Sequence, residues 1–287
     1  MENLKNYFLL MRLDKPIGTL LLLWPMLCAL WLASSGQPDF LILSVFVLGT
    51  FLMRSAGCVI NDIADRNFDG FVERTKNRVL ASKKVSVKEA LFVFAVLALV
   101  AFFLVLILNN LLVLLLSCVA LFLAITYPFT KRFFPLPQAY LGVAYGFGIP
   151  MAFAAAQNAV PLPCWLLLLA NVFWSLAYDT EYAMVDKPYD LKIGIQTSAI
   201  TFGRFDVLAV MICYFLHFAL FAFVVFYFYN MQIFTLLGVL LAMAIALLHY
   251  FWIKNRNPAQ CFRAFLNNNY VGMSLFLGIF LDFCFFK

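Results

Sequence analysis

Apolar residues in this chain come in long unbroken blocks instead of alternating with polar ones, and the blocks follow one another at nearly even spacing. Nine can be drawn, at about 17 to 33, 40 to 60, 90 to 108, 110 to 127, 138 to 156, 161 to 178, 206 to 229, 232 to 253 and 268 to 286. Crossing the hydrocarbon core of a bilayer takes roughly 20 helical residues, so each block predicts one transmembrane helix. The pattern predicts an all-α integral membrane protein with nine transmembrane helices in one polytopic domain over 1–287. Two connectors, about 61 to 89 and 179 to 205, are long enough to fold over a site, and the others are short turns.

The connectors fall into two kinds. Those after the first, third, fifth and seventh blocks (Ser34 to Asp39, around Asn109 and Asn110, Gln157 to Pro163, Asn230 to Gln232) contain no Lys or Arg. All but one of the 20 basic residues belong to the opposite side, Lys287 being the exception. Positive charge is retained on the cytoplasmic side, which predicts a cytoplasmic amino terminus and a carboxyl terminus across the membrane, in a bacterial inner membrane. The first block is short, contains Pro25 and follows Lys5, Arg12 and Lys15, features shared with signal peptides, but eight further blocks argue against cleavage.

Composition agrees. The chain is 65% hydrophobic and 12% charged with a mean hydropathy of +0.96, far from the roughly quarter-charged make-up of soluble domains. The expected surroundings are a lipid bilayer, and no nucleic-acid partner is expected. The seven Cys are scattered without a CxxC pair, so they read as apolar filling. His217 and His249 lie inside blocks and read as helix-packing residues, while Trp24, Trp31 and Trp252 near block ends read as interfacial anchors.

The scarce acids are concentrated. Asn61-Asp62-Ile63-Ala64-Asp65-Arg66-Asn67-Phe68-Asp69 closes the second block. If the helix continues through it, Asn61, Asp65 and Asp69 recur every four residues and share one face, drifting by only about 40° per step. Oxygen ligands on one face, with Arg66, Arg74, Lys76 and Arg78 just beyond, suit magnesium holding a phosphorylated substrate. A solvated helix end is the plainer alternative. Asp179, Asp186 and Asp190 follow the sixth block much as the first row follows the second, which suggests a duplication with halves at about 1–135 and 136–287 sharing one cavity. Pro188 makes helical geometry less certain in the second row. Two metal-binding acid rows, basic side chains and apolar walls together suit loss of diphosphate from an isoprenoid donor.

The residues carrying these features also resemble a known family. Arg12-Leu13-Asp14-Lys15-Pro16-Ile17-Gly18-Thr19 through Trp24-Pro25, Arg54 through Cys58, the first acid row through Arg78, Tyr127 through Arg132 and Tyr178 through Gly194 are similar to the UbiA superfamily of intramembrane prenyltransferases. Within it they look most like the branch acting on 4-hydroxybenzoate in ubiquinone biosynthesis. The resemblance implies a nine-helix bundle around a central cavity with a laterally accessible prenyl tunnel, and polyprenyl diphosphate and 4-hydroxybenzoate as substrates. It implies that Asn61, Asp65, Asp69, Asp186 and Asp190 hold two Mg2+ ions, with Lys76, Arg78, Lys131, Arg132 and Lys192 as candidates for diphosphate. An anionic aromatic acceptor needs its own cation, for which Arg54, two turns before Asn61, comes first and Arg12 second. Asp179 and Tyr182 are candidates to orient or deprotonate the phenol. The chain departs from the family pattern at Lys187-Pro188-Tyr189, where an acidic run is expected, and at Val79, where proline is expected.

Three other readings carry distinct signatures. A sister prenyltransferase of the haem O or menaquinone pathway would share fold and metals, but the Asp14 to Gly18 and Tyr178 to Asp186 segments favour hydroxybenzoate. A CDP-alcohol phosphotransferase needs a DGxxAR element, and Asp69-Gly70-Phe71-Val72-Glu73-Arg74 lacks its Ala. A cation transporter is expected to place acids near mid-membrane at broken helices, whereas both rows here flank one face.

Overall fold

A computed structural model describes residues 2–71 and 75–286, with backbone alone for 2, 3 and 71; Arg74 and Lys287 lie outside the described residues. The described chain is helical throughout: α1 (Glu2–Leu10), α2 (Ile17–Ala33), α3 (Phe40–Asp65), α4 (Val87–Ile107), α5 (Leu111–Thr130), α6 (Pro137–Gly146), α7 (Gly148–Gln157), α8 (Leu162–Ile193), α9 (Ser198–Phe202), α10 (Asp206–Phe223), α11 (Ile233–Ile253) and α12 (Pro258–Phe286). Eight helical segments are long and apolar enough to cross a membrane, α6 with α7 and α9 with α10 counting as one each, and the shorter apolar α2 makes a ninth. The nine predicted blocks are thus found among the described residues.

Three helices outrun their apolar blocks. α3 extends to Asp65, α8 to Ile193, and α12 starts at Pro258 instead of near 268. The expected loop over 179 to 205 is therefore mostly helix. Pro188 removes one backbone donor but does not end α8, and the helix leading into it is held from the side: Glu181 is built into a buried network, and Lys187 Nζ reaches the Gly203 carbonyl at 3.0 Å. α8 stops at Gly194, whose φ of +72° provides the left-handed cap. The break between α6 and α7 has a local cause. Pro150 in α7 has no N–H and would crowd the carbonyl four residues back, at Gly146, where α6 ends.

Polar side chains close helix ends. Asp39 caps α3 through the Leu41 and Ile42 amides, and Ser86 with Glu89 forms a capping box on α4. Fully buried Asp282 on α12 accepts from the Gln232, Phe234 and Thr235 amides at 2.7 to 3.0 Å, capping α11 from a neighbouring helix.

The main core joins α2, α7, α8, α10, α11 and α12, with Trp174, Tyr214 and Phe153 among its largest buried side chains. A smaller core ties α1 to α3, α4 and the 79–85 segment, and Val79 is one of its buried members. α4 and α5 turn much of their Leu and Phe surface outward, as lipid-facing helices do. Gly142 lets α6 lie against α8, since a Cβ there would stand 2.8 Å from Val172 Cα. Trp24 and Trp31 tie helices together: Trp24 donates to Asn269 at 2.9 Å and both pack on Phe276, locking α2 to α12. His217 and His249 do sit in the packing, with His217 Nδ1 2.9 Å from the Ala170 carbonyl and His249 Nδ1 2.9 Å from the Tyr214 hydroxyl. All seven Cys are free.

Candidate active site

The last turns of α3 and the extension of α8 face each other across a cavity of about 800 Å³. Asn61, Asp65 and Asp69 line one wall, and Asp179, Tyr182, Asp186 and Asp190 line the other. The fourfold spacing holds for Asn61 and Asp65, whose side chains meet at 3.2 Å. It does not carry Asp69 by helix, because α3 ends at Asp65 and Asp69 opens a short 3-10 turn. That turn is pinned instead by Thr75 Oγ1, which donates to the Asp69 carbonyl at 2.8 Å, and by Arg78, whose Nη1 lies 2.9 Å from both Asp69 carboxylate oxygens. Burial pushes the Asp69 carboxyl above its ordinary range; the Arg78 guanidinium opposes this, and the nearby negative Asp62 and Asp65 add to it.

Basic residues are interleaved with these acids. Lys131 Nζ sits 2.9 Å from Asp65 Oδ2 and 3.0 Å from Asn61 Oδ1. Asp62, outside the cavity lining and almost fully buried, receives Arg12 Nη2 at 2.5 Å and Arg78 Nη1 at 3.2 Å. It is thus a holder of cations behind the wall. Arg12, Arg54, Arg78 and Lys131 all line the cavity. Lys76, Arg132 and Lys192 are exposed and lie outside its lining; Arg132 stacks over Phe68 and Phe129 and donates to the Ala64 carbonyl at 3.0 Å. Lys187 is also turned away, onto Asp206 at 3.1 Å.

Arg54 stands apart from the other cations. Its guanidinium is buried, and neither Nε nor Nη1 has a hydrogen-bond partner. A buried donor left unpaired costs on the order of 1–3 kcal/mol or more when charged, so an anion at this point would be strongly favoured. Tyr127, Tyr145 and Tyr178 complete the nearby wall, with Lys15 and Gln138. A second, apolar gallery of about 170 Å³ runs between α3, α4 and α5 and shares Gly57, Tyr127 and Tyr145 with the main cavity. The main cavity thus has two acid rows and a buried cation, and an apolar gallery adjoins it across Gly57, Tyr127 and Tyr145.

Residues 22–277 match the UbiA prenyltransferase family. The chain belongs to that family. Similarity is high to the 4-hydroxybenzoate octaprenyltransferase of Dechloromonas aromatica, 60% identical over 98% of this chain and 95% of that protein. Among solved structures, the apo UbiA homologue from Aeropyrum pernix K1 superposes with a TM-score of 0.81 at 25% identity, covering 94% of this chain and 98% of that one. The UbiA homologue from Archaeoglobus fulgidus bound to GPP and Mg2+ shares the fold, with a TM-score of 0.73 at 17% identity over 97% and 99% of the two chains.

The cavity draws on residues the sequence flagged and on others it did not. Lys15, Tyr145 and Gln138 come to the cavity from α6 and the turn before α2, far in sequence from either acid row. Lys15 was visible only as part of the family-like Arg12 to Thr19 segment, and Gln138 and Tyr145 only as polar or aromatic positions in an apolar block. Asp62 was visible within the first row, but its turn away from the cavity follows from the helix, where neighbouring residues differ by about 100°.

Among the described residues, no three acidic, His or Cys groups converge as a ready cage for an ion. Magnesium does not need one, because it is commonly held through one or two carboxylates with the remaining positions filled by water and substrate phosphate oxygens. Hard oxygen donors on two facing walls of one cavity fit that chemistry.

Proposed function

We propose that this protein transfers a polyprenyl group from polyprenyl diphosphate to the ring carbon of 4-hydroxybenzoate beside its hydroxyl, giving 3-polyprenyl-4-hydroxybenzoate and diphosphate for ubiquinone biosynthesis. The observation that carries the reading is the placement of both acid rows and the unpartnered Arg54 guanidinium in one cavity. The high identity to 4-hydroxybenzoate octaprenyltransferases supports the acceptor, and the GPP and Mg2+ complex of the A. fulgidus homologue supports a metal-bound diphosphate donor.

Asn61, Asp65, Asp69, Asp186 and Asp190 would hold Mg2+, in two ions, which when bound neutralises charge on the departing diphosphate. Arg78 and Lys131 supply positive charge at the same end, and Arg12 is the next cation along the wall. Lys76, Arg132 and Lys192, outside the lining, have no part in this reading. The prenyl C1–O bond breaks with its electrons leaving on diphosphate, the ring carbon bonds to C1, and the ring then loses its proton. Arg54 takes the acceptor carboxylate and fixes which ring carbon faces C1. Asp179 or Tyr182 on the opposite wall orients the phenol and draws on its proton, enriching the ring carbon beside it. The tail lies in the apolar gallery, and the surrounding bilayer of a bacterial inner membrane supplies the donor, with the acid-bearing end facing the cytoplasm. The two rows are read as the remnants of duplicated halves.

The test uses purified protein in lipid with Mg2+, a long-chain prenyl diphosphate and labelled 4-hydroxybenzoate, beside Asp65→Ala and Asp190→Ala. Prenylated product from the wild type alone is expected. Diphosphate release without labelled product would reject the acceptor, and a folded protein consuming no donor would reject the reaction.

A further inference from the structure

Gly18, in the first turn of α2, has no conformational reason to be glycine. Among the described residues, the positive-φ glycines are Gly36, Gly194 and Gly203. Within a helix glycine is disfavoured relative to alanine. What the position lacks is space. A Cβ at Gly18 would stand 2.6 Å from Arg54 Nε and 2.8 Å from Cζ, and closer still to Nη2. No other residue is among these nearest atoms, and Cζ is the farthest of the three, so the Nε–Nη2 edge of the guanidinium is turned onto the bare Cα of Gly18. The same guanidinium is the one whose Nε and Nη1 have no partner and which lines the cavity.

We propose that Gly18 is a positioning residue for the acceptor: it is the floor that sets how far the Arg54 guanidinium stands from the reacting end of the cavity. The proposal rests on Arg54 receiving the carboxylate of an aromatic acid. A methyl group at residue 18 would force the plate to withdraw by about 1 Å to reach ordinary contact, and a close-packed wall leaves it the cavity as the open direction. The cation would then meet the carboxylate too early and hold the ring short of the prenyl carbon. Displacement of that size costs on the order of 100-fold in a reaction that depends on alignment. The fold should absorb the change, since the displaced group is the far end of a flexible side chain, not backbone. The donor's diphosphate end, held by the acid rows, is untouched.

The experiment compares Gly18→Ala, Arg54→Lys and the double variant in Mg2+-dependent prenylation, varying 4-hydroxybenzoate and prenyl diphosphate separately and recording thermal melting. In Gly18→Ala, kcat/KM for 4-hydroxybenzoate is expected to fall roughly 100-fold, with KM for the donor and the melting temperature near wild type. A lysine is slimmer than the guanidinium plate and clears the added methyl, so the double variant should be no worse than Arg54→Lys alone. Wild-type acceptor kinetics in Gly18→Ala, equal losses toward both substrates, or additive losses in the double variant would overturn the role of Gly18. A folded wild type inert toward 4-hydroxybenzoate would overturn the functional reading together with it, whereas an active wild type with an unaffected Gly18→Ala overturns Gly18 alone.

Discussion

Lys187 Nζ lies 3.1 Å from Asp206 Oδ2, and Asp206 is also held by Arg256, whose Nε is 2.9 Å from Oδ1. Asp206 is fully buried at the start of α10, so the lysine that interrupts the second acid row spends its charge behind α8 and not on the cavity. The hydrogen bond that Arg256 donates to Asp206, together with the carboxylate's negative charge, raises the Arg256 pKa above the ordinary range, against a smaller opposing effect of burial. The departure at Lys187-Pro188-Tyr189 therefore adds no positive charge to the metal site proposed at Asp186 and Asp190.

Lys187→Met keeps the apolar stem and leaves Asp206 paired with Arg256. It should cost about 1 kcal/mol of stability and leave unchanged the Mg2+ concentration that gives half-maximal activity. Asp206→Ala strands two cations and should cost about 3 kcal/mol, read as a lower melting temperature in detergent. A Mg2+ requirement that falls in Lys187→Met would mean that the lysine does act on the acid row.

Lys131 offers a sharper separation of metal from substrate. Its ammonium stands on Asp65 and Asn61, oxygens that a metal ion would use. Removing it should help Mg2+ bind alone while harming catalysis, since a positive charge at the leaving group is lost. For Lys131→Met we expect a larger Mg2+-induced rise in melting temperature than in wild type, with turnover lower by about 100-fold or more. An unchanged Mg2+ response would show that ammonium and metal occupy different places.

The apolar blocks located every crossing because block length reports the thickness of hydrocarbon a helix must traverse. They could not report where helices end outside it. α8 continues for fifteen residues past its block, to Ile193, because its extension is amphipathic: acids face the cavity while Glu181 and Lys187 face protein. The same limit explains the site. Asn61 and Asp65 were legible from spacing along one helix, whereas Asp69 depended on a turn held by Thr75 and Arg78. The pairing of Asp62 with Arg12, the floor under Arg54 and the locking of Trp24 onto Asn269 all depend on which helices meet, and hydropathy carries no record of that.

Behind the second acid row, Glu181 is fully buried and accepts from Tyr214 at 3.0 Å and Asn268 Nδ2 at 2.8 Å, while Asn268 also receives the Trp174 indole at 2.9 Å. The network fixes α8 against α10 and α12. Glu181→Ala leaves a void and takes one acceptor each from Tyr214, which keeps Asn268 Oδ1 and His249 Nδ1, and from Asn268 Nδ2, which keeps the Ala264 carbonyl, and should cost about 2 kcal/mol. Glu181→Gln can still accept from Asn268 through its amide oxygen and should cost under about 1 kcal/mol. Thermal melting of the two variants decides the point, and equal losses would show that the network tolerates neither shape nor hydrogen-bond change.

The apolar gallery is walled by Gly49 on α3, Ala98 and Ala101 on α4, and Ala120 and Ala124 on α5, all small where large residues dominate the lipid-facing surfaces nearby. Tyr127 stands where the gallery meets the main cavity. Ala124 and Ala120 lie about 4.5 Å and about 10 Å further along α5, by the rise of 1.5 Å per residue. If the prenyl tail follows this route, a phenyl group at either position closes it at a different depth. Ala124→Phe should depress kcat/KM for long donors by at least about tenfold and reach down to shorter ones, since filling a packed wall leaves no room for the chain. Ala120→Phe should spare donors that end before it. Steady-state kinetics with a series of prenyl diphosphates of increasing length would show the preference breaking at a shorter chain in Ala124→Phe than in Ala120→Phe. Equal losses on every length in both variants would place the tail elsewhere.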